Sequence, residues 1–377
     1  MNILFTISYY APYISGLTVH AERLATAFSK KGHSITVITS HLDKIMLKDI
    51  TEDGVRIVRI PVLLKFHKGF FMPSYIFRAW QHIYRSEIAV SHLPQFESVF
   101  VAIIAKILRR KYYVIYHCEV KLPDGFLNKI IESVLCFVHY ITLLCADKIV
   151  TYTKDYAINS SLLPKFFKKT VFIYPPIPVL PLTKKTANDT IKKQNNFVIG
   201  VAARLATEKG FEYLFSAIPY IQEKLGKSFT IHIAGPMDPA GEGNYKSKLA
   251  LLLQKYKNYI KFSGTIKPSE MVKFYKSLDV LVLPSINKTE AFGMVQVEAM
   301  LCGIPVVASD LPGVREPVKV TGMGEVAEPA DSKDLADKIL QVLHNKEKYY
   351  KNASSVKKIF SYEETISEYE KIFIGFS

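Results

Sequence analysis

Ile3 to Ile7 is an apolar run of strand length, and Leu17, Ala21, Leu24 and Phe28 follow it at spacings of 4, 3 and 4. Those spacings put four side chains on one face of a helix. Lys30 and Lys31 then precede Gly32, the usual punctuation of a helix end, and Ile35 to Ile38 is a second buried run. A strand, a helix and another strand in this order imply a crossover, and hence a parallel sheet.

The pattern restarts late in the chain. Phe197 to Ala202 is apolar; Phe211, Leu214, Phe215, Ile218 and Leu225 mark a helix; Phe229 to Ala234 is again a strand. Tyr245, Leu249, Leu252 and Tyr256 mark the next helix, and a short strand follows near Ile260 and Phe262. Pro268 stands where a helix can start. A strand at Val280 to Leu283, a helix from Gly293 to Leu301 and a strand at Val306 to Ala308 complete the series. Between the two series lie Tyr174-Pro-Pro-Ile-Pro and a polar run from Pro181 to Asn196, which reads as a linker. At roughly 150 residues per domain, 377 residues suit two domains. The expected fold class is α/β: two Rossmann-like, doubly wound parallel-sheet domains facing across a cleft, with the site at the strand ends. The first domain is expected over 1–182, the linker over 183–196 and the second domain from 197.

Composition narrows the function. A charged fraction of 22% with many aromatics excludes a disordered or fibrous chain. The N-terminus has no basic region, which argues against a secretory signal. Cys118, Cys136, Cys145 and Cys302 have no paired metal spacing and are too few for a disulfide framework, so a reducing, cytoplasmic setting is expected. The longest apolar stretch, Ser133 to Ala146, is shorter than the roughly 20 residues of a spanning helix and reads as a buried helix. The formal charge is +15, and Lys and Arg exceed Asp and Glu by 22 to 12 in residues 1–182 against 27 to 22 in the rest. Such a field suits a phosphate-bearing partner: nucleic acid, an anionic bilayer or a phosphorylated small molecule.

The strongest constellation is Thr289-Glu290-Ala-Phe292-Gly293-Met294-Val-Gln-Val-Glu298, directly after a strand. Gly293 lets the backbone approach a ligand, and the helix that begins there offers amides to an anion. Glu290 and Glu298 can accept from the paired hydroxyls of a sugar or ribose; equally, Glu290 can cap the helix and Glu298 can be a solvated helix residue. Arg204 and Lys209 flank a loop at a strand's carboxyl end, where a diphosphate would sit; they also read as two surface cations. Gly264-Thr265-Ile266 follows a strand and can present backbone groups to a base. In the first half, Gly16 follows the first strand, and His117 closes the apolar run Val114-Ile-Tyr, as a ligand-facing or a structural histidine.

Taken together, the Glu290-to-Glu298 spacing, the Arg204/Lys209 loop, the glycine loop after the first strand and Gly303-Ile-Pro305-Val-Val-Ala-Ser-Asp310 resemble a retaining glycosyltransferase of family 4, over almost the whole chain. The resemblance implies a GT-B fold, a nucleotide-diphosphate sugar as donor in the second domain and a hydroxyl acceptor, a glycan or a lipid-linked molecule, at the first. By resemblance, Glu290 and the Phe292-Gly293-Met294 backbone contact the sugar, Glu298 holds the ribose, Arg204 and Lys209 hold the diphosphate, and His117 sits beside the transferring sugar. Gly16 and Ile266 complete the donor-side residues. The resemblance also implies retention of configuration, and a C-terminal helix, 360–377, that crosses back to the first domain. Two departures stand out: Ser15 precedes Gly16 where the family often has a second glycine, and Pro312 replaces a common glycine. No Asp-x-Asp element occurs, so neither a metal nor a cofactor is expected.

The acceptor side is read more coarsely. Lys65 to Met72, Tyr75 to Arg85 around Trp80, and Leu108-Arg-Arg-Lys-Tyr112 interleave cations with aromatics. That pattern suits an interfacial helix against anionic lipid, and so a peripheral protein at the inner face of the membrane; it also suits a helix on the sheet with its cations in water. A sugar-nucleotide epimerase or a phosphorylase of the same fold is a rival; the epimerase would need no acceptor patch and would convert the donor alone. A dehydrogenase lacks its third glycine at Gly241-Glu-Gly243, and a nucleic-acid-binding protein would need a recognition motif that the dispersed cations do not form.

Overall fold

The computed structural model describes residues 1–42, 49–66, 69–122, 125–179, 196–237 and 242–375. The chain divides into two compact units, Met1–Pro176 with Glu363–Ser377, and Ile177–Tyr362. The boundary therefore falls inside Tyr174–Pro178 rather than at 182. Of the linker expected over 183–196, only Asn196 lies among the described residues.

Unit 1 is built on β1 (Asn2–Thr6), β2 (Ser34–His41), β3 (Asp49–Glu52), β4 (Val55–Pro61), a hairpin of β5 (Leu64–Phe66) and β6 (Gly69–Phe71), β7 (Ile88–Leu93), β8 (Lys111–Tyr116), β9 (Lys148–Thr151) and β10 (Thr170–Phe172). Its main sheet runs β10-β9-β8-β7-β1-β2-β4-β3, parallel throughout except for the β3–β4 pair. Ile3, Leu4 and Phe5 of β1 are buried because a central parallel strand has both faces covered. Helices α1 (Gly16–Lys30), α2 (Tyr75–Tyr84), α3 (Ser98–Ile107), α4 (Phe126–Cys145) and α5 (Lys154–Asn159) supply the crossovers. In α1, Ala21, Leu24 and Phe28 are buried on the face that their spacing defines.

The last helix, Tyr362–Ile374, belongs to unit 1. Phe373 stacks on Tyr113 at 5.1 Å between centroids and meets Phe28 edge-on at 5.9 Å. Glu370 pairs with Lys31 and with His33, and the lysine holds its carboxyl below the usual carboxylate range.

Helix α4 departs from the sequence reading. It starts at Phe126, earlier than the expected Ser133, and has 20 residues. Nor is it a buried helix: only 22% of its most apolar window is buried. Val138, His139, Thr142 and Leu143 face inward, whereas Phe126, Leu127, Ile130, Val134, Phe137 and Leu144 are exposed. An apolar helix beside a sheet is normally taken as core; here the inward stripe is narrow and half polar, and the apolar stripe faces out.

Among the described residues, unit 2 has six strands, β11 (Phe197–Ala202), β12 (Phe229–Ala234), β13 (Ile260–Phe262), β14 (Val280–Leu283), β15 (Val306–Ser309) and β16 (Gly324–Ala327), all parallel in the order β13-β12-β11-β14-β15-β16. The chain winds outward from β11 to β13, then returns to the centre at β14 and winds the other way. That reversal between β11 and β14 opens a crevice at their carboxyl ends, where ligands bind in open α/β sheets. Phe211, Leu214, Phe215 and Ile218 of α6 (Phe211–Leu225) fill the core under β11 and β12. Helices α7 (Gly243–Lys255), α8 (Met271–Lys276) and α9 (Met294–Leu301) follow in sequence.

Candidate active site

The segments leaving β11 and β14 converge on the reversal point of unit 2. After β11, buried Leu205 and Ala206 anchor the loop, and a single 3-10 turn, Thr207–Lys209, leads into α6. The Thr207 amide and hydroxyl both donate to Glu242 Oε2, at 3.1 and 2.8 Å. Gly210 closes the turn at φ +62°, the left-handed region, and a Cβ there would lie 2.3 Å from the carbonyl oxygen of Pro284. This is a position only glycine fills without strain, and it brings the β11 loop against the backbone after β14. The Ile286 amide donates to the Glu208 carbonyl at 3.1 Å and ties the two segments together.

Two cations and their partners sit on that junction. Lys209 is ion-paired with Glu290, both mostly buried. Arg204 Nη2 donates to Glu208 Oε1 at 2.6 Å. Asn287 shapes the loop before Glu290: its side-chain oxygen accepts from the Thr289 amide at 3.0 Å and its carbonyl from the Glu290 amide at 3.2 Å. Gly293, at φ +77°, then turns the chain into α9; a Cβ there would fall 2.3 Å from Leu283 Cδ2. The positive end of the α9 dipole therefore opens beside Phe292 and Met294.

Glu298 lies in α9, only 9% exposed, and its Oε2 accepts from the Tyr275 hydroxyl at 2.8 Å. That excludes the solvated-helix reading. Tyr275, on α8, escaped the sequence analysis because its partner lies 23 residues further on, with no local pattern to join them. Ser285 and Gln296 escaped it as well. The Ser285 hydroxyl, the Thr289 hydroxyl and the Gln296 side-chain oxygen are buried without a hydrogen-bond partner among the described residues. Buried polar atoms left unpaired are costly, so three within 285–296 mark this segment as built for something besides stability. Ile266 is half-buried in the loop after β13.

Of the expected site residues, Arg204, Lys209, Ile266, Glu290, Phe292, Gly293, Met294 and Glu298 belong to unit 2, while Gly16 and His117 belong to unit 1. Gly16 is the first residue of α1 and has no left-handed backbone. Ser15 explains why a second glycine is dispensable: its hydroxyl caps the helix by accepting from the Thr18 amide at 3.2 Å, and Thr18 returns the contact to the Ser15 amide at 2.7 Å.

His117 is 3% exposed and held inside a polar network. Its Nε2 meets His92 Nδ1 at 2.9 Å and its Nδ1 meets the Tyr152 hydroxyl. The Tyr152 hydroxyl lies 3.4 Å from His20 Nδ1, and the Tyr369 hydroxyl 3.3 Å from His20 Nε2. Burial pushes all three imidazoles down, His92 to about 3, so the network is neutral. Among the described residues, no group of three or more His, Cys, Asp or Glu side chains is placed to hold a metal ion.

Known proteins resemble this chain in sequence and in fold. The family model "Glycosyl transferases group 1" matches residues 183–358, and "Glycosyl transferase 4-like domain" matches residues 15–157. An uncharacterized glycosyltransferase of Methanocaldococcus jannaschii is 27% identical over 339 residues, 85% of this chain and 83% of the relative. The gpi3 subunit of phosphatidylinositol N-acetylglucosaminyltransferase from Schizosaccharomyces pombe is 25% identical over 385 residues, 97% and 78% of the two chains. The structure of Anabaena HepE in complex with UDP and glucose superposes with a TM-score of 0.74 at 20% identity, covering 99% of each chain. Two Rossmann-like units carrying this site define a sugar-transferring enzyme of the GT-B fold. The chain belongs to the family 4 glycosyltransferases and is related to enzymes of glycolipid and polysaccharide biosynthesis.

Proposed function

We propose that the protein transfers a sugar, with retention of configuration and without a metal or cofactor, from a nucleotide-diphosphate sugar to a hydroxyl of a glycan or lipid-linked acceptor. The observation that carries this reading is the convergence of Arg204, Lys209 and Glu290 on the crevice between β11 and β14. Arg204 and Lys209 take the diphosphate, and the α9 N-terminus adds its dipole as charge builds on the leaving phosphate. Glu290 accepts from sugar hydroxyls, and the unpaired Ser285 and Thr289 hydroxyls gain partners there; Glu298, oriented by Tyr275, holds the ribose, and the Ile266 backbone meets the base. The bond from C1 to the diphosphate oxygen breaks while the acceptor oxygen bonds C1 on the same face. The acceptor's proton passes to the departing phosphate. His117, buried in unit 1 with its two ring nitrogens engaged by His92 and Tyr152, is given no part in this transfer.

HepE was captured with UDP and glucose, and the fission-yeast relative is named for a phosphatidylinositol acceptor; both support a nucleotide-sugar donor and a glycolipid acceptor. The four free cysteines suit a reaction in the cytosol. A thermal-shift panel of nucleotides and nucleotide sugars tests the donor. One diphosphate, UDP, GDP or ADP, should raise Tm above the others, and its sugar conjugate should donate to an acceptor. A panel with no shift, or conversion of the donor to an isomer without any acceptor, would overturn the reading.

A further inference from the structure

The amino ends of the first strands of unit 1 meet the end of α2 around a polar cavity. Asn2 stands beside Ser34 in the register of β1 and β2, and Thr36 beside Arg56 in that of β2 and β4. Neighbours in register point to one face of a sheet, and Ser34 and Thr36, two residues apart, share that face. The last turn of α2 brings His82 over it, and Arg85 and Ser86 follow. The Ser86 hydroxyl donates to the His82 carbonyl at 2.8 Å and fixes that turn. The cavity these residues line measures about 160 Å³.

Its lining is rich in donors that have no acceptor. Among the described residues, the side chains of Asn2, Ser34, Thr36, Arg56, His82 and Arg85 have no hydrogen-bond or ion-pair partner. His82 is the telling one: it is only 9% exposed, and a polar side chain so far inside is normally paired. Burial first, then Arg56 and Arg85, hold its pKa below the ordinary value, so the ring is neutral and donates one N–H. Arg78 and Asp49 are the other charges that act on the ring. Glu87, beside the cavity, has its carboxylate on the Asn2 backbone amide at 2.8 Å. Two guanidinium forks, an imidazole N–H, two hydroxyls and an amide suit a tetrahedral oxyanion, which accepts in several directions at once. A carboxylate offers only two oxygens to these six side chains. The volume admits a phosphate and falls short of the roughly 300 Å³ at which pockets for larger organic ligands begin.

We propose that this cavity is a phosphate-binding site, taking inorganic phosphate or the phosphate of a small soluble monoester on Arg56, His82 and Arg85. It lies at the amino ends of the strands, the opposite edge from the carboxyl ends where ligands of open α/β sheets bind. Its cations come from β4 on one side and from α2 and the residue after it on the other. A bound phosphate therefore clamps α2 to the sheet and stabilises unit 1 by mass action. The site belongs wholly to unit 1 and does not rest on the proposed transfer reaction.

Full-length protein is titrated calorimetrically with sodium phosphate, and separately with glucose 6-phosphate, against sodium chloride of equal ionic strength so that general screening cancels. Saturable binding at millimolar phosphate is expected, with a matching rise in Tm and a shift of the His82 ring resonances in the nuclear magnetic resonance spectrum. Binding of phosphate alone assigns the site to the free anion; binding of both assigns it to a monoester whose carbon chain reaches solvent. Arg56 and Arg85 are both exposed, so the double variant Arg56→Gln, Arg85→Gln should keep its circular dichroism spectrum and its phosphate-free melting curve. It should bind phosphate at least tenfold more weakly, whereas Lys209→Ala should bind it as the wild type does. Absence of saturable binding by the wild type, with His82 unmoved, would overturn the proposal. So would binding that the double variant retains in full; if Lys209→Ala removes it instead, the phosphate sits in the unit 2 crevice.

Discussion

Lys209 and Glu290, 81 residues apart in sequence, form an ion pair across the junction of the two loops that frame the unit 2 crevice. The groups assigned to diphosphate and to sugar therefore neutralise each other before any ligand arrives. On the proposed assignment, a donor diphosphate would draw the ammonium away from the carboxylate and leave it for the sugar hydroxyls.

The pair predicts opposite effects from its two halves. Lys209→Ala should weaken binding of the free nucleoside diphosphate at least tenfold, about 1.4 kcal/mol. Glu290→Gln should leave that binding unchanged or tighten it, while transfer falls by about 100-fold or more. Titration calorimetry with the diphosphate, beside transfer rates, separates the two. Equal loss of diphosphate affinity in both variants would contradict the assignment.

Gly210→Ala should be among the costly single changes in unit 2. The new Cβ meets a backbone oxygen that has no side-chain freedom to yield, and the residue must hold φ +62°. A loss of roughly 2 kcal/mol or more is expected. Nucleotide affinity should fall too, because Lys209 precedes this glycine. Calorimetric unfolding with and without nucleotide measures both.

Tyr275→Phe removes the hydroxyl that orients Glu298. A hydrogen bond to a buried carboxylate is worth about 2 kcal/mol, so unit 2 should lose stability. If Glu298 holds the ribose, KM for the donor should also rise several-fold with kcat nearly unchanged. A fall in Tm with unaltered KM would limit Tyr275 to a structural part.

Unit 1 should be acid-sensitive well above the carboxylate range. His20, His92, His117 and His139 are buried and neutral, with His92 pushed down to about 3 and His139 to about 4. Each binds its proton more readily when unfolded, near the ordinary 6.5. Stability is thus complete above that value and declines as pH falls toward 4. Burial raises Glu97 to about 7, with the opposite sign: its contribution declines as pH rises from 4.5 to 7. Glu97→Gln should stabilise unit 1 above pH 7 by up to about 3 kcal/mol and do little near pH 4. Trp80 fluorescence follows these melts.

Much of this arrangement was readable before the structure. The 4, 3, 4 spacing of Leu17, Ala21, Leu24 and Phe28 is periodic and local, and so was the strand-to-glycine geometry at Gly293. The order of residues along 204–298 pointed to the junction in unit 2 where Lys209 and Glu290 meet. What escaped was set by distant neighbours. His117 shows in sequence as the end of a strand, but its partners His92 and Tyr152 come from separate segments. Tyr275 and Glu298 meet only after folding. Helix α4 misled for another reason: an apolar run reports composition, and does not say how much of the helix its neighbours cover.

The helix Tyr362–Ile374 gives the chain an order of assembly. Unit 2 is inserted between Pro176 and Glu363, inside the sequence of unit 1. Tyr369 and Phe373, both fully buried, plug the interior formed by α1 and β8. On a ribosome the whole inserted unit emerges before that plug is made. Unit 1, begun first, therefore gains its last contacts only after unit 2 has emerged: until then His20 lacks Tyr369, and Tyr113 and Phe28 lack Phe373.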